Sequence, residues 1–310
     1  MIPCYAVRSQ ILGVIFAIGA EVAAIHVVDD ACPEHTWKLV EEKCHDSRVQ
    51  IHRHETNRGV GGAVVTGIQA ALAQGAGIII KIDGDGQMDP ALIAKFARPL
   101  LRGVADYTKG NRFYQLEYLD SMPLVRLLGN AVLSFLSKLS SGYWGVMDPT
   151  NGYIAINAKV AKALPMDKIA RGYFFESDLL FRLNILRAVV EDIPMPAIYR
   201  DERSNLSVIK VTGQFAVLHT IRLFKRIFYN YFLRDFNAAS LMLLVALPLL
   251  GFGLMFGIAK WHEGVVSSTP VSSGTVMLAA LPIILGLQLL LSAIQYDIYQ
   301  QPRIPVHDKL

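Results

Sequence analysis

Apolar and polar positions follow two regimes along this chain. Up to about Asp235, short apolar runs are broken by charged and turn residues; beyond it, two long stretches carry no charge. In the first regime Ala24–Val28 (AIHVV), Arg48–His52, Gly77–Ile82 (GIIIKI), Ala105–Lys109 and Val189–Tyr199 read as extended segments. Pro33–Cys44, Val60–Gln74, Ser121–Leu139 and Phe175–Leu186 read as helices, and Asp89-Pro90 starts another with a cap followed by proline. Ile11–Ala20 is apolar but too short to span a bilayer, and Glu21 ends it. Only Arg8 precedes it and no small-residue cleavage site stands out, so it reads as a core helix rather than a signal peptide. Strands that are apolar throughout, alternating with helices, predict an α/β fold: a mainly parallel, Rossmann-like sheet with helices on both faces.

In the second regime, Ala238–Ala259 and Gly264–Tyr296 are uncharged. At ~1.5 Å per residue the first makes a helix of roughly 33 Å, enough to cross a hydrocarbon core of ~30 Å. Two such runs in succession predict a two-helix transmembrane anchor. Before them, Gly213–Leu233 places apolar residues at helical spacing with basic residues between, the pattern of a helix lying in the membrane interface, with a core helix of the catalytic domain as the competing reading. The division expected is 1–211 for a catalytic domain, 212–235 for the interfacial region and 236–310 for the anchor with a short tail.

Charge refines this picture. The formal net charge of +4 is mild and calls for no nucleic-acid partner. Arg222, Lys225, Arg226 and Arg234 cluster just ahead of the first span, the positive-inside arrangement that draws anionic headgroups and keeps the first domain cytoplasmic. Cys4, Cys32 and Cys44 are odd in number and lack metal-site spacing, which suits a reducing compartment.

The sharpest chemical signal is Asp83-Gly84-Asp85-Gly86-Gln87 at the end of a β-branched strand. Carboxylates two residues apart point to one side, and the flanking glycines admit close approach. Ligands bind at the carboxyl ends of strands in such sheets, and paired hard oxygen ligands suit Mg²⁺ or Mn²⁺. A turn that uses Asp and Gly for geometry alone is the competing reading. Asp29 and Asp30 follow another buried strand, where carboxylates accept from a ribose hydroxyl or a base N–H. Asn57-Arg58-Gly59 precedes a Gly-rich helix start that suits phosphate. His52 and His54 lack a third ligand and read as a solvated strand face.

Taken in order, Ile2-Pro3-Cys4-Tyr5, Val27-Val28-Asp29-Asp30, Asn57-Arg58-Gly59-Val60-Gly61, Asp83 to Pro90, Gly110-Asn111-Arg112-Phe113 and Asp148-Pro149-Thr150-Asn151-Gly152 resemble the family 2 glycosyltransferases of GT-A fold. The resemblance is to the branch making polyprenyl-phosphate sugars, such as dolichol-phosphate mannose synthases and undecaprenyl-phosphate glycosyltransferases. It covers most of the first 205 residues. One departure is Ala6-Val7, where the family usually has Asn-Glu after Pro-x-Tyr.

The resemblance implies that Asp83, Asp85 and Gln87 hold Mg²⁺ or Mn²⁺ and the diphosphate. Pro3, Tyr5, Asp29 and Asp30 would line the nucleotide pocket, with Asn57, Arg58 and Gly59 beside it. Arg112, Arg126 and the Arg200/Arg203 region would meet the acceptor phosphate, a role for which guanidinium forks are suited. Asp148, Glu176 and Asp178 are candidates for sugar-hydroxyl binding or local structure. The expected activity is inverting, metal-dependent transfer from a nucleotide-sugar donor to a polyprenyl phosphate. It would take place at the inner or plasma membrane of a prokaryote, among membrane lipids, by a homo-oligomer. Another lipid or glycan acceptor, or a nucleotide-sugar binding protein without turnover, are the alternatives.

Overall fold

A computed structural model describes residues 1–114, 124–196 and 208–310, with side chains omitted at 124–128, 130 and 208–212. Among the described residues, seven strands form two sheets. β1 (Ile2–Cys4), β2 (Ile25–Asp29) and β3 (Val49–Arg53) are parallel, in that order. β4 (Ile78–Lys81), β6 (Ile154–Asn157), β5 (Tyr107–Asn111) and β7 (Val190–Pro194) form the second sheet in the order β4-β6-β5-β7. Met1 bridges the two: its amino group donates to Ile80 O at 2.6 Å, and Ile82 N donates to Met1 O at 3.2 Å.

β6 has no counterpart in the sequence reading. It is four residues long and antiparallel to both neighbours. The pattern NGYIAIN is too short to separate from a loop, and its strand character depends on the edges of β4 and β5 that flank it.

The helices that periodicity predicted are present, and one at Ala158–Ala163 joins them without a counterpart in the sequence reading. α1 (Ile11–Phe16), α2 (Thr36–Lys43), α3 (Val60–Ala73) and α4 (Ile93–Leu101, entered through the 3-10 turn Pro90–Leu92) come first. α5 (Leu124–Ser141), α6 (Ala158–Ala163) and α7 (Phe175–Leu186) follow. Strand residues alternate between two cores, as a pleat requires. Ile79, Ile154 and Ile156 join α3, α6 and α7 in one; Tyr153 and Ala155 join α1 and α4 in the other. In the second core Phe96 and Tyr153 stack with ring centroids 3.9 Å apart.

α8 (Val208–Phe228) carries two kinds of surface. His219 is buried against Ser140 Oγ at 2.7 Å, and Arg222 Nε reaches Asp178 at 2.5 Å. Val217, Ile221 and Phe224, spaced four and three apart, are exposed on another face. The last residues of the same folded unit come from far along the chain: Pro302–Leu310 pack with Met1–Phe224. There the fully buried Asp106 accepts from the N–H groups of Val306 and His307 and from Val189 N, and lies 2.6 Å from His307 Nδ1.

The second unit, Lys225–Gln301, is dominated by α9 (Ala238–Ser267) and α10 (Ser273–Tyr299). Both are long and apolar enough to cross a membrane, and only 11% of each apolar window is buried. A water-soluble core helix would be covered. Their contact uses small residues: a Cβ on Gly253 would lie 2.8 Å from Ala279 O, and one on Gly286 3.1 Å from Ala246 O. Arg226 forks onto Asp297 at 2.6 and 3.0 Å. Arg222 and Arg226 are thus both paired within the protein, leaving Lys225 and Arg234 as the exposed members of the basic cluster.

Ala6, in the turn after β1, has φ +55, a region that disfavours a residue with a Cβ outside Gly, Asn and Asp. Ala6→Asn should relieve about 0.5–1 kcal/mol and raise the melting temperature by roughly 1–4 °C. A melting temperature that stays the same or falls would show that the turn holds no strain.

Candidate active site

The parallel strands deliver their carboxyl ends to one edge, and β6, running the other way, delivers its leading loop there. Lys81 at the end of β4 is the register partner of Ile154 at the start of β6. The loop Met147–Gly152 therefore meets the acidic turn after β4. A cavity of about 730 Å³ lies at the opposite edge, among Ile18, Ile25, Ile78 and Leu101, and Asp83 and Asp85 do not line it.

Asp83 and Asp85 are part-exposed on the turn. Asp85 Oδ1 accepts from Gln87 N at 2.9 Å, and Gly86 at φ +73 supplies the bend. Gly84 tucks beneath α1, where a Cβ would touch Val7 at 3.0 Å. Among the described residues no group of three or more His, Cys, Asp or Glu side chains is gathered to hold an ion. Two carboxylates and a side-chain amide are what the turn offers.

Asp83 has a partner that the sequence reading missed. Lys81 Nζ lies 2.7 Å from Asp83 Oδ1 while Lys81 is 2% exposed. A Cβ on Gly152 would fall 2.3 Å from that ammonium and 2.8 Å from Asp83 Oδ2. The Phe175 ring flanks Nζ at 5.5 Å. A second buried lysine, Lys109, donates to the Asn151 carbonyl. Burial pulls its ammonium down to about 8, against the upward pull of Glu176 and Asp148. Burial likewise pushes Glu176 up to about 7, opposed by Lys81 and Lys109. The visible signal was a lysine inside an isoleucine run and another ahead of Gly110: charges at strand positions that should be buried.

Arg112, just past β5, is held by Asp148. Its Nε and Nη2 donate to the two carboxylate oxygens at 2.7 and 3.0 Å. Asp148 has zero exposure and also accepts from Asn151 Nδ2. It cannot touch a sugar hydroxyl; it orients the guanidinium, which retains 28% side-chain exposure. Asp178 is equally enclosed, bonded to Ala170 N, Arg182 and Arg222, and so serves local structure.

The expected nucleotide pocket is more heavily used by the fold than its motif suggested. Pro3 is buried within β1 opposite Val28. Tyr5 is exposed at the edge. Asp29 spends both oxygens on Cys32 N and Trp37 N, fixing the turn into α2. Asp30 Oδ1 takes His54 Nδ1 at 2.6 Å and Arg58 N at 2.8 Å. His54 is therefore buried beside a carboxylate instead of lying on a solvated face. Asn57 Oδ1 caps Gly59 N, and Arg58 is exposed. Gly59 and Gly61 are glycines for another reason than phosphate approach: a Cβ would stand 2.5 Å from Arg171 O and 2.1 Å from Ala170 O respectively. The N–H groups of Gly61 and Gly62 at the start of α3 already donate to Arg171 O. Arg126 lies in α5 where side chains are outside the described residues, as are Arg200 and Arg203 altogether.

Gly152→Ala has no room beside the Lys81–Asp83 pair and should destabilise the fold by about 1–3 kcal/mol. Thermal unfolding of the variant measures this; an unchanged melting temperature would mean the ion pair is not seated against Gly152.

Comparison with known proteins places this geometry among relatives. The profile of Glycosyl transferase family 2 matches residues 1–164. The chain is 30% identical over 190 residues to the UDP-N-acetylglucosamine--dolichyl-phosphate N-acetylglucosaminyltransferase of Methanococcus voltae, covering 57% of this chain and 75% of that protein. It is 26% identical over 219 residues to the polyprenol monophosphomannose synthase of Mycolicibacterium smegmatis, covering 69% and 80%. In fold it is similar to mannosyl-3-phosphoglycerate synthase from Rubrobacter xylanophilus (TM-score 0.54, 16% identity, 76% of this chain and 75% of that one). It is likewise similar to glucosyl-3-phosphoglycerate synthase from Mycobacterium tuberculosis, solved with Mn²⁺ and UDP (TM-score 0.51, 18% identity, 73% and 77%). The shared architecture is the GT-A-like α/β fold.

Proposed function

The chain belongs to glycosyl transferase family 2, and from that membership we propose that it moves a sugar from a nucleotide-diphosphate sugar onto a polyprenyl phosphate, inverting the anomeric centre. The observation that carries the reading is Arg112, clamped by buried Asp148 on the sheet edge that bears Asp83 and Asp85. A guanidinium fixed as a fork suits an anionic oxygen group. The relatives from Methanococcus voltae and Mycolicibacterium smegmatis are named for dolichyl-phosphate and polyprenol acceptors, which supports a lipid phosphate here.

The acceptor decides how much acid–base chemistry is required. A lipid phosphate is already an anion at pH 7, so its oxygen attacks the anomeric carbon as the carbon–oxygen bond to the diphosphate breaks. No proton has to be removed. The work of the protein is to bring two anions together, orient them and shield their charges. Arg112 meets the acceptor phosphate, and Asp148 keeps its guanidinium planar and aimed. Tyr5 and Arg58 border the nucleotide, with Asp30 behind them holding Arg58 N. Asp83, Asp85 and Gln87 are the residues that would hold a divalent ion, since two carboxylates with an amide suit Mg²⁺ or Mn²⁺. Such an ion supplies charge neutralisation for the departing diphosphate.

The exposed apolar stripe of α8 and the two apolar helices after it support a reaction carried out at a membrane surface. The domain would stand on the cytoplasmic side, with α9 and α10 as anchor.

Purified full-length protein, given labelled nucleotide-sugars and undecaprenyl phosphate in vesicles, should put label into a mild-acid-labile lipid. Chelation should abolish the label, and Mn²⁺ or Mg²⁺ should restore it. Asp85→Ala should lose at least ~100-fold of the rate with its melting temperature retained. Label in an acid-stable lipid would move the acceptor to another class, and binding without turnover would overturn the transferase reading. Asp148→Asn should raise the KM for undecaprenyl phosphate by roughly 10- to 100-fold, as the loss of a charge-assisted bond predicts. An unchanged acceptor KM would remove Arg112 from the acceptor site.

A further inference from the structure

Lys81 is more than a filler behind the acidic turn. Its ammonium touches Asp83 at 2.7 Å, and it is 2% exposed. It has little freedom to swing aside, with Gly152 tight against it on one side and the Phe175 ring on another. Lys109 lies in the same wall, bonded to the Asn151 carbonyl next to Gly152. A bare divalent ion approaching Asp83 therefore meets a carboxylate that is already paired, with the ammonium groups of Lys81 and Lys109 behind it, partly offset by Glu176 and Asp148. An ion arriving with a diphosphate brings its own negative charge, and that charge is complementary to both ammonium groups.

We propose that Lys81 is a resident counter-cation for the Asp-x-Asp turn, holding Asp83 against a bare divalent ion so that metal and donor diphosphate bind together. Lys81 is a positioning residue in this scheme. The inference rests on the reading of Asp83 and Asp85 as the metal-holding pair and adds the order in which that pair is filled. Binding of the ion and of the diphosphate are then coupled, and the coupling is the same read from either side. The free enzyme stays uncommitted to metal until a donor is present.

The test is Mn²⁺ binding to the full chain without nucleotide, followed by the electron paramagnetic resonance of free Mn²⁺, with thermal unfolding alongside. Lys81→Met and Lys81→Gln, which leave Asp83 without a cation, should bind bare Mn²⁺ at least about tenfold more tightly than wild type. Mn²⁺ should raise their melting temperatures more than it raises that of wild type. Lys81→Arg, which keeps the charge, should behave as wild type. Should the neutral variants be unfolded without metal, refolding on addition of Mn²⁺ is the expected result, and failure to refold counts against the proposal. Folded neutral variants that bind Mn²⁺ no better than wild type overturn it. Asp85→Asn separates the two levels: if it binds Mn²⁺ as well as Lys81→Met does, the acidic turn is not the metal site and the underlying reading falls with the inference.

Discussion

Negative charge gathered at one edge of a sheet has to be compensated, and most of the local architecture follows from how this chain does so. Asp29 and Asp30 are met by backbone N–H groups and a histidine, Asp83 by a buried lysine, Asp148 by a forked arginine, and Asp178 by two arginines. Each pairing fixes something beyond the carboxylate. Asp29 sets the turn into α2, Asp148 sets the direction of Arg112, and Asp178 ties α8 to α7. Enclosed carboxylates deprived of these partners would be costly. The site is therefore built from the same contacts that hold the loops in place.

Reading acidic residues as ligands or as structure turns on the partner each one finds. Asp85 and Asp83 sit on the part-exposed turn, whereas Asp148 and Asp178 are enclosed with their oxygens occupied. The strand-end glycines divide in the same way. Gly86 bends the acidic turn, while Gly59 and Gly61 make room for the backbone of Ala170 and Arg171. Motif residues near a binding edge thus include many that shape the edge without facing a ligand.

Most of the fold was legible in the sequence because it rests on local periodicity. Phe175–Leu186 matches its helix to the residue, and the strands ending at Asp29 and Lys81 lie within a residue or two of the apolar runs that predicted them. β6 was not legible, because four residues of a loop-like pattern become a strand only between two edges that are distant in sequence. The site was legible as a set of motifs at strand ends but not as a set of pairings. Lys81 to Asp83 is a local contact that an isoleucine run concealed; Arg112 to Asp148 spans 36 residues and Arg222 to Asp178 spans 44. Such pairs depend on topology, which residue spacing alone does not carry. The same holds for Pro3 and Asp29, where family pattern pointed to a pocket, while packing buried Pro3 in β1 and committed the Asp29 carboxylate to the turn after β2.

The Asp106 clasp bears on how the chain acquires its structure. Its carboxylate takes N–H donors from Val306 and His307, residues 200 and 201 positions away, on the far side of both apolar helices. At a ribosomal pace of ~5–20 residues per second, the interval between completing α8 and making that segment is on the order of ten seconds. Throughout it a fully enclosed acid would keep the N–H of Val189 but lack the donors of Val306 and His307, and the adjoining end of β5 would be held by fewer bonds. Maturation of the water-exposed body is thereby made to wait for the hydrophobic hairpin, so a nascent chain whose hairpin goes astray would also leave its enzyme half-finished.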